Sequence, residues 1–170
     1  MNLARRYEAE QIARRVEKVA LAVETEAREG PLVLISILKG SSFFLADLAR
    51  RMNGPFSVEF MSVRRAEGAH EVLQIDFSTG VSVAGRHVLL LKDVVNTGVI
   101  ESYLVEQLRG DGAATVRLAA ILDKARERRT AVAVDFALFS AEGGRYVGYG
   151  MEHQGLYAHL PHIAEVLEKQ

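Results

Sequence analysis

The chain of 170 residues contains no cysteine. Disulfides, thiolate nucleophiles, zinc fingers and iron–sulfur ligation are therefore excluded together. Nor is there an excess of charge of one sign: 21 basic side chains face 22 acidic ones, a net charge of −1. That balance argues against nucleic acid as a partner, which calls for a basic surplus. Long apolar runs are missing as well. Runs such as Leu32–Leu38 (interrupted by Ser36) and Val88–Leu91 are too short to span a bilayer, and Met1–Tyr7 lacks the apolar stretch of a signal peptide. A cytoplasmic protein with no membrane partner is the expectation. With 49% hydrophobic residues, the chain has enough apolar surface for one core and reads as a single domain over 1–170.

Several familiar motifs are also absent. There is no Gly-x-x-x-x-Gly-Lys-Ser/Thr loop, no Gly-x-Ser-x-Gly elbow, and only a fragment, Gly148-Tyr149-Gly150, of a Gly-x-Gly-x-x-Gly pattern. His70-Glu71 would open a zinc-protease motif, but Gln74 stands where its second histidine is needed. His153, His159 and His162 are scattered over a polar segment and read as solvated surface.

What is present is alternation of strand and helix. Ile12, Val16, Val19, Ala20 and Val23 recur at helical spacing between Ala9 and Ala27. Leu32–Ile37 is an almost wholly apolar strand of the kind covered on both faces in parallel sheets. A helix from Phe43 to Met52, a turn at Asn53-Gly54-Pro55 and a strand through Phe56, Val58 and Phe60 follow. Residues 63–85 are the least regular and read as a mobile loop. It returns as a strand through Leu73, Ile75 and Phe77 and turns at Ser78-Thr79-Gly80. Then come a strand at His87–Leu91, a helix through Tyr103, Leu104, Gln107 and Leu108, and a strand at Thr115–Leu122. Short strands at Val132–Phe139 and Tyr146–Tyr149 and a last helix at Ile163–Glu168 complete the reading. The pattern predicts an α/β fold with a mainly parallel sheet flanked by helices.

In open parallel sheets, ligands bind beyond the carboxyl ends of the strands. Three such ends carry polar loops: Leu38–Ser42, Lys92–Gly98 and Asp123-Lys124. In the second, Asn96-Thr97-Gly98 leads from a strand into a helix. It either presents backbone N–H groups to a phosphate or forms a plain turn capped by Asn96 or Thr97.

At these loops, and from about residue 8 to 167, the sequence resembles the hypoxanthine–guanine phosphoribosyltransferase family. The matching segments are Leu38-Lys39-Gly40-Ser41, Val58–Met61, Gly85–Gly98, Ile121–Lys124, Val147–Gly150 and His159-Leu160-Pro161. The resemblance implies a type I phosphoribosyltransferase-like fold with a small hood and a mobile loop, and assembly as a homodimer or homotetramer. It implies a reaction in which a 6-oxopurine base and phosphoribosyl pyrophosphate give a nucleoside monophosphate and pyrophosphate, with magnesium. By the same resemblance, Lys39 and Gly40 hold pyrophosphate, Asn96, Thr97, Gly98, Val99 and Ile100 form the 5′-phosphate loop, and Lys92 and Asp93 meet the ribose. Lys124, Tyr146 and Val147 surround the base, and Asp93 and Glu152 stand at the metal positions.

Departures from the family fall on the chemistry. Lys92 replaces one of two adjacent acids, and Asn96 replaces the aspartate proposed as general base. An amide cannot take a proton at neutral pH, although it still hydrogen-bonds. Ile100 replaces a threonine, Arg145 the base-stacking aromatic, Glu152 an aspartate and Ala158 an arginine. Arg64 and Arg65 stand where the mobile loop has a Ser-Tyr pair and are placed to replace the lost arginine; Lys92 and Arg145 are expected to make the pocket more positive. Arg126, Arg128 and Arg129 read as a solvated turn. Two functions fit this pattern: a phosphoribosyltransferase of weak or altered activity, or a non-catalytic regulator that binds a nucleotide or phosphate.

Overall fold

The structure, a computed structural model, describes residues 2–26, 30–65, 73–77 and 82–167. Its elements run β1 (Asn2–Tyr7), α1 (Ala9–Glu26), β2 (Leu32–Ile37), α2 (Ser42–Ala49), β3 (Phe56–Arg65), β4 (Leu73–Phe77) and β5 (His87–Val95). They continue with α3 (Val99–Gly110), β6 (Thr115–Asp123), β7 (Phe136–Ser140), β8 (Arg145–Val147) and β9 (Ile163–Leu167). The larger sheet has the order β4-β3-β2-β5-β6-β7; β3, β2, β5, β6 and β7 are parallel and β4 joins β3 antiparallel.

The central strands carry long apolar stretches, such as Leu32–Ile35 of β2 and Val88–Leu91 of β5, because both of their faces are covered there. Leu32 and Leu34 of β2 and Leu89 and Leu91 of β5 turn towards Ile12, Val16 and Val19 of α1 and Phe44, Leu45 and Leu48 of α2. The alternate residues, Val33 and Ile35 of β2 and Val88 and Leu90 of β5, meet Leu104, Val105 and Leu108 of α3. The period of two in the strands thus divides one apolar run between two cores.

The second sheet, β1-β9-β8, is antiparallel and forms the hood. It corrects one reading of the sequence and adds a strand that the sequence did not suggest. Ile163–Leu167 is a strand and not a helix, paired on one side with β1 and on the other with β8. Five residues are too few to make a helix stable, whereas Ile163 and Ala164 are fully buried once partners stand on both sides. Asn2–Tyr7, which has no apolar alternation, is a strand because β9 supplies its pairing; its exposed arginines suit an edge.

Other boundaries moved for local reasons. β5 continues through Lys92 and Asp93 to Val95, since its backbone goes on pairing with β6 up to Val95↔Asp123. α2 stops at Ala49, and β7 starts only at Phe136; Val132 and Val134 pack against the α3-side core without pairing. β8 ends at Val147, because Gly148 and Tyr149 take positive φ values of 92° and 51°. The loop at 66–72, with His70 and Glu71, and the turn at Ser78-Thr79-Gly80 lie outside the described residues. No helix among the described residues is long and apolar enough to cross a membrane.

Candidate active site

The carboxyl ends of β2, β5 and β6 point at the hood, and a cleft of about 610 Å³ lies between them. Its walls include Lys39 and Gly40 after β2, Asp93 and Asn96 at the end of β5, Lys124 after β6, Arg145 and Tyr146 of β8, and Glu152. Seven of the positions singled out from sequence therefore meet in one place: Lys39, Gly40, Asp93, Asn96, Lys124, Tyr146 and Glu152. Residues 97–100, Lys92 and Val147 do not line it. Val147 is fully buried within the hood.

Gly40 is where the two halves of the site touch. A Cβ on it would collide with the carboxyl group of Asp93, and a Cβ on Gly150 would collide with the Gly40 carbonyl. Only glycine lets the loop after β2 pass between the strand end and the hood. The peptide between Leu38 and Lys39 is cis.

Lys124 is buried, yet its ammonium keeps a defined set of neighbours. It donates to the Gly144 carbonyl at 2.8 Å, lies 3.5 Å from Glu127 and stands 5.7 Å from the centre of the Tyr146 ring. An ammonium has three donors and no acceptor, so this wall offers hydrogen to a ligand and takes none.

At the start of α3, Gly98 is the N-cap with φ 77°, and the Val99 N–H has the Thr97 hydroxyl at 3.5 Å. The close approach that requires a glycine there is made by the protein itself: a Cβ at 98 would overlap Arg128, Thr130 and Val132. The helix start still directs its first N–H groups and positive dipole end outwards from β5.

Two charged residues differ from their sequence reading. Lys92 contributes no free positive charge to the cleft; its Nζ lies 2.5 Å from Asp93 Oδ1, and both side chains are largely buried. Arg128 is no part of a solvated turn, since it is mostly buried and ion-paired with Asp123. Arg126 remains exposed, paired with Glu142 at 2.8 Å. Arg145 reaches back to His153, with Nη1 and Nδ1 2.8 Å apart. The side chains of Arg64 and Arg65 lie outside the described residues.

Glu101 was not singled out from sequence. It is only 4% exposed, on the face of α3 that carries Leu104, Val105 and Leu108 into the core. Its spacing of three before Leu104 was the available signal: a carboxylate on an apolar helical stripe. Burial pushes its carboxyl above the ordinary range; its own backbone amide and then Lys92 and Arg128 pull it back, while Asp93 adds to the rise.

Magnesium at this end of the cleft would call first on the Asp93 carboxylate. Asp93 Oδ1 already accepts from Lys92 Nζ at 2.5 Å and from the Val94 N–H at 2.8 Å, and its other oxygen faces Gly40. Magnesium needs open oxygens in near-octahedral array. A carboxylate closed by an ammonium does not fit it.

Strand-end loops gathered under an antiparallel hood define a phosphoribosyltransferase, and residues 5–154 match the phosphoribosyl transferase domain family. Within that class the chain belongs to the hypoxanthine-guanine phosphoribosyltransferase family. The hypoxanthine-guanine phosphoribosyltransferase of Staphylococcus epidermidis is 30% identical over 160 residues, which are 90% of this chain and 89% of that protein. The crystal structure of a hypoxanthine phosphoribosyltransferase from Staphylococcus aureus superposes with a TM-score of 0.89 at 27% identity, covering 96% of this chain and 90% of that one. A second similar structure is an asparagine mutant from an analysis of an invariant aspartic acid in HPRTs, with a TM-score of 0.89, 30% identity and coverage of 96% and 92%.

Proposed function

We propose that this protein transfers the phosphoribosyl group of phosphoribosyl pyrophosphate to a 6-oxopurine, releasing pyrophosphate and the nucleoside monophosphate, at a rate limited by its own substitutions. The observation that carries the reading is the single cleft in which Lys39, Gly40, Asp93, Asn96, Lys124 and Tyr146 meet. Lys124 offers only donors beside the Tyr146 ring and so selects a 6-oxo acceptor over a 6-amino group. The first turn of α3, behind Asn96, supplies N–H groups and a positive dipole end for the 5′-phosphate. Lys39 and the backbone at Gly40 take the pyrophosphate side.

Two features slow the chemistry. Asn96 holds the purine by hydrogen bonds but removes no proton at neutral pH. Lys92, paired with Asp93, neutralises the carboxylate that would otherwise stabilise the positive charge developing on the sugar as its bond to pyrophosphate breaks. Positioning in the cleft remains the source of acceleration.

Product formation from phosphoribosyl pyrophosphate with hypoxanthine, guanine and adenine in turn tests the reading. Nucleotide is expected from the first two and not from adenine. The variant Lys124→Ala should lose about 10- to 100-fold in GMP affinity and leave AMP affinity unchanged, since hydrogen bonds from charged donors contribute roughly 1.5–3 kcal/mol. Equal binding of GMP and AMP by the natural chain would refute the assignment of Lys124.

A further inference from the structure

We propose that this cleft binds phosphoribosyl pyrophosphate without a divalent cation, because the Lys92 ammonium holds the place on Asp93 that a metal would have to take. The inference rests on the phosphoribosyl transfer reading and says which charge accompanies the substrate.

The pairing of neighbours 92 and 93 does not follow from their adjacency in sequence. Successive strand residues point to opposite faces. Val88 and Leu90 of β5 belong to the core under α3, whereas Leu89 and Leu91 belong to the core under α1 and α2. Beyond Leu91 this alternation shifts, for Val94 packs with the α1 and α2 core and Val95 with the α3 core, while the Asp93 carboxyl lies against Gly40. At this shift Lys92 Nζ reaches Asp93 Oδ1 at 2.5 Å, with only 20% of its side chain exposed.

A second carboxylate lies in the neighbourhood: Glu101, at the start of the buried face of α3, is 4% exposed and has Lys92 and Arg128 as nearby cations. The contact that fixes the Lys92 ammonium is the one with Asp93.

The consequence concerns Asp93. One of its oxygens carries two donors, Lys92 Nζ and the Val94 N–H, and the other lies on the Gly40 side. A dication approaching the first oxygen meets the Lys92 ammonium already 2.5 Å from it. The ligand class this arrangement favours is an anion whose phosphates are met by ammonium and backbone N–H groups alone.

The test is calorimetric titration of the natural protein with phosphoribosyl pyrophosphate and, separately, with GMP, each in magnesium and in EDTA. The natural protein is expected to bind phosphoribosyl pyrophosphate with dissociation constants agreeing within about threefold in the two buffers. The variant Lys92→Gln, which keeps the length of the side chain and frees Asp93, should gain a preference for magnesium of about tenfold or more. It should also bind manganese more tightly than the natural chain, read from the free-ion electron paramagnetic resonance signal. Retained GMP binding shows that the variant is folded. A natural protein that loses tenfold or more in EDTA, or a Lys92→Gln variant no more metal-dependent than its parent, would overturn the proposal. Failure of the natural protein to bind GMP in either buffer would instead overturn the phosphoribosyl transfer reading beneath it.

Discussion

Asn96 and Glu101 stand five residues apart and show how one side chain sets chemistry or stability. Asn96 lines the cleft where the family resemblance places an aspartate. Asn96→Asp restores a proton acceptor, and a positioned general base contributes on the order of 10²-fold or more. The gain should appear in kcat and hardly in GMP affinity, since the group acts on the transition state; steady-state kinetics with hypoxanthine checks it. Glu101 affects stability through its proton. Its carboxyl lies above the ordinary value of 4.5, chiefly because of burial. The folded state thus holds this proton more tightly than the unfolded chain does. That contribution is complete below the unfolded value and is lost as pH rises through the folded one. Glu101→Gln keeps the shape without the titration. The stability of the natural chain relative to this variant should therefore fall as pH rises from 4.5. Urea denaturation of both proteins across that range measures it.

Among the elements, the junction between β5 and α3 is the most constrained. β5 pairs with β6 as far as Val95, and within a few residues the chain must enter a helix whose face is already committed to Leu104 and Leu108. Gly98 makes the turn with φ 77° in a space walled by Arg128, Thr130 and Val132. A β-branched residue there is strained and also collides. Gly98→Val should cost about 2 kcal/mol or more, seen as a lower urea midpoint. The hood strands show the opposite case. β9 has little helix or strand preference of its own in five residues, and its conformation is decided by β1 and β8 on its two sides.

Across the whole molecule, the site exists because two sheets meet. The parallel sheet brings Lys39, Asp93, Asn96 and Lys124 to one end, and the hood adds Tyr146 and Glu152. Among the contacts that join the halves are Gly40 against Gly150 and the Tyr149 hydroxyl donating to Asp47 Oδ2 of α2 at 2.8 Å. Burial pushes the Tyr149 hydroxyl far above the usual phenol range, with its hydrogen bond to Asp47 and that carboxylate's charge adding to the rise. Tyr149→Phe keeps the ring and removes the tie. It should lower stability by about 1 kcal/mol. Weaker GMP binding should accompany the loss, because the hood wall of the cleft is then less firmly placed; calorimetry and urea denaturation separate the two effects.

Much of this was determined by sequence alone. Leu32–Ile37 is a doubly covered strand by its own composition, and α1 is a helix by its stripe of Ile12, Val16, Val19 and Val23, since these patterns follow from local periodicity. The strand-end loops at Lys39-Gly40, Asp93–Gly98 and Lys124 were likewise legible, because a parallel sheet sends all its carboxyl ends one way. Tertiary structure decided the rest. It made strands of Asn2–Tyr7 and Ile163–Leu167 through partners more than 150 residues apart in the chain. It turned Lys92 onto Asp93, buried Glu101 and Arg128, and assigned the need for glycine at 98 to the chain's own Arg128–Val132 segment. Periodicity records which face a residue takes, whereas the neighbour of a charge is settled only when distant segments close upon it.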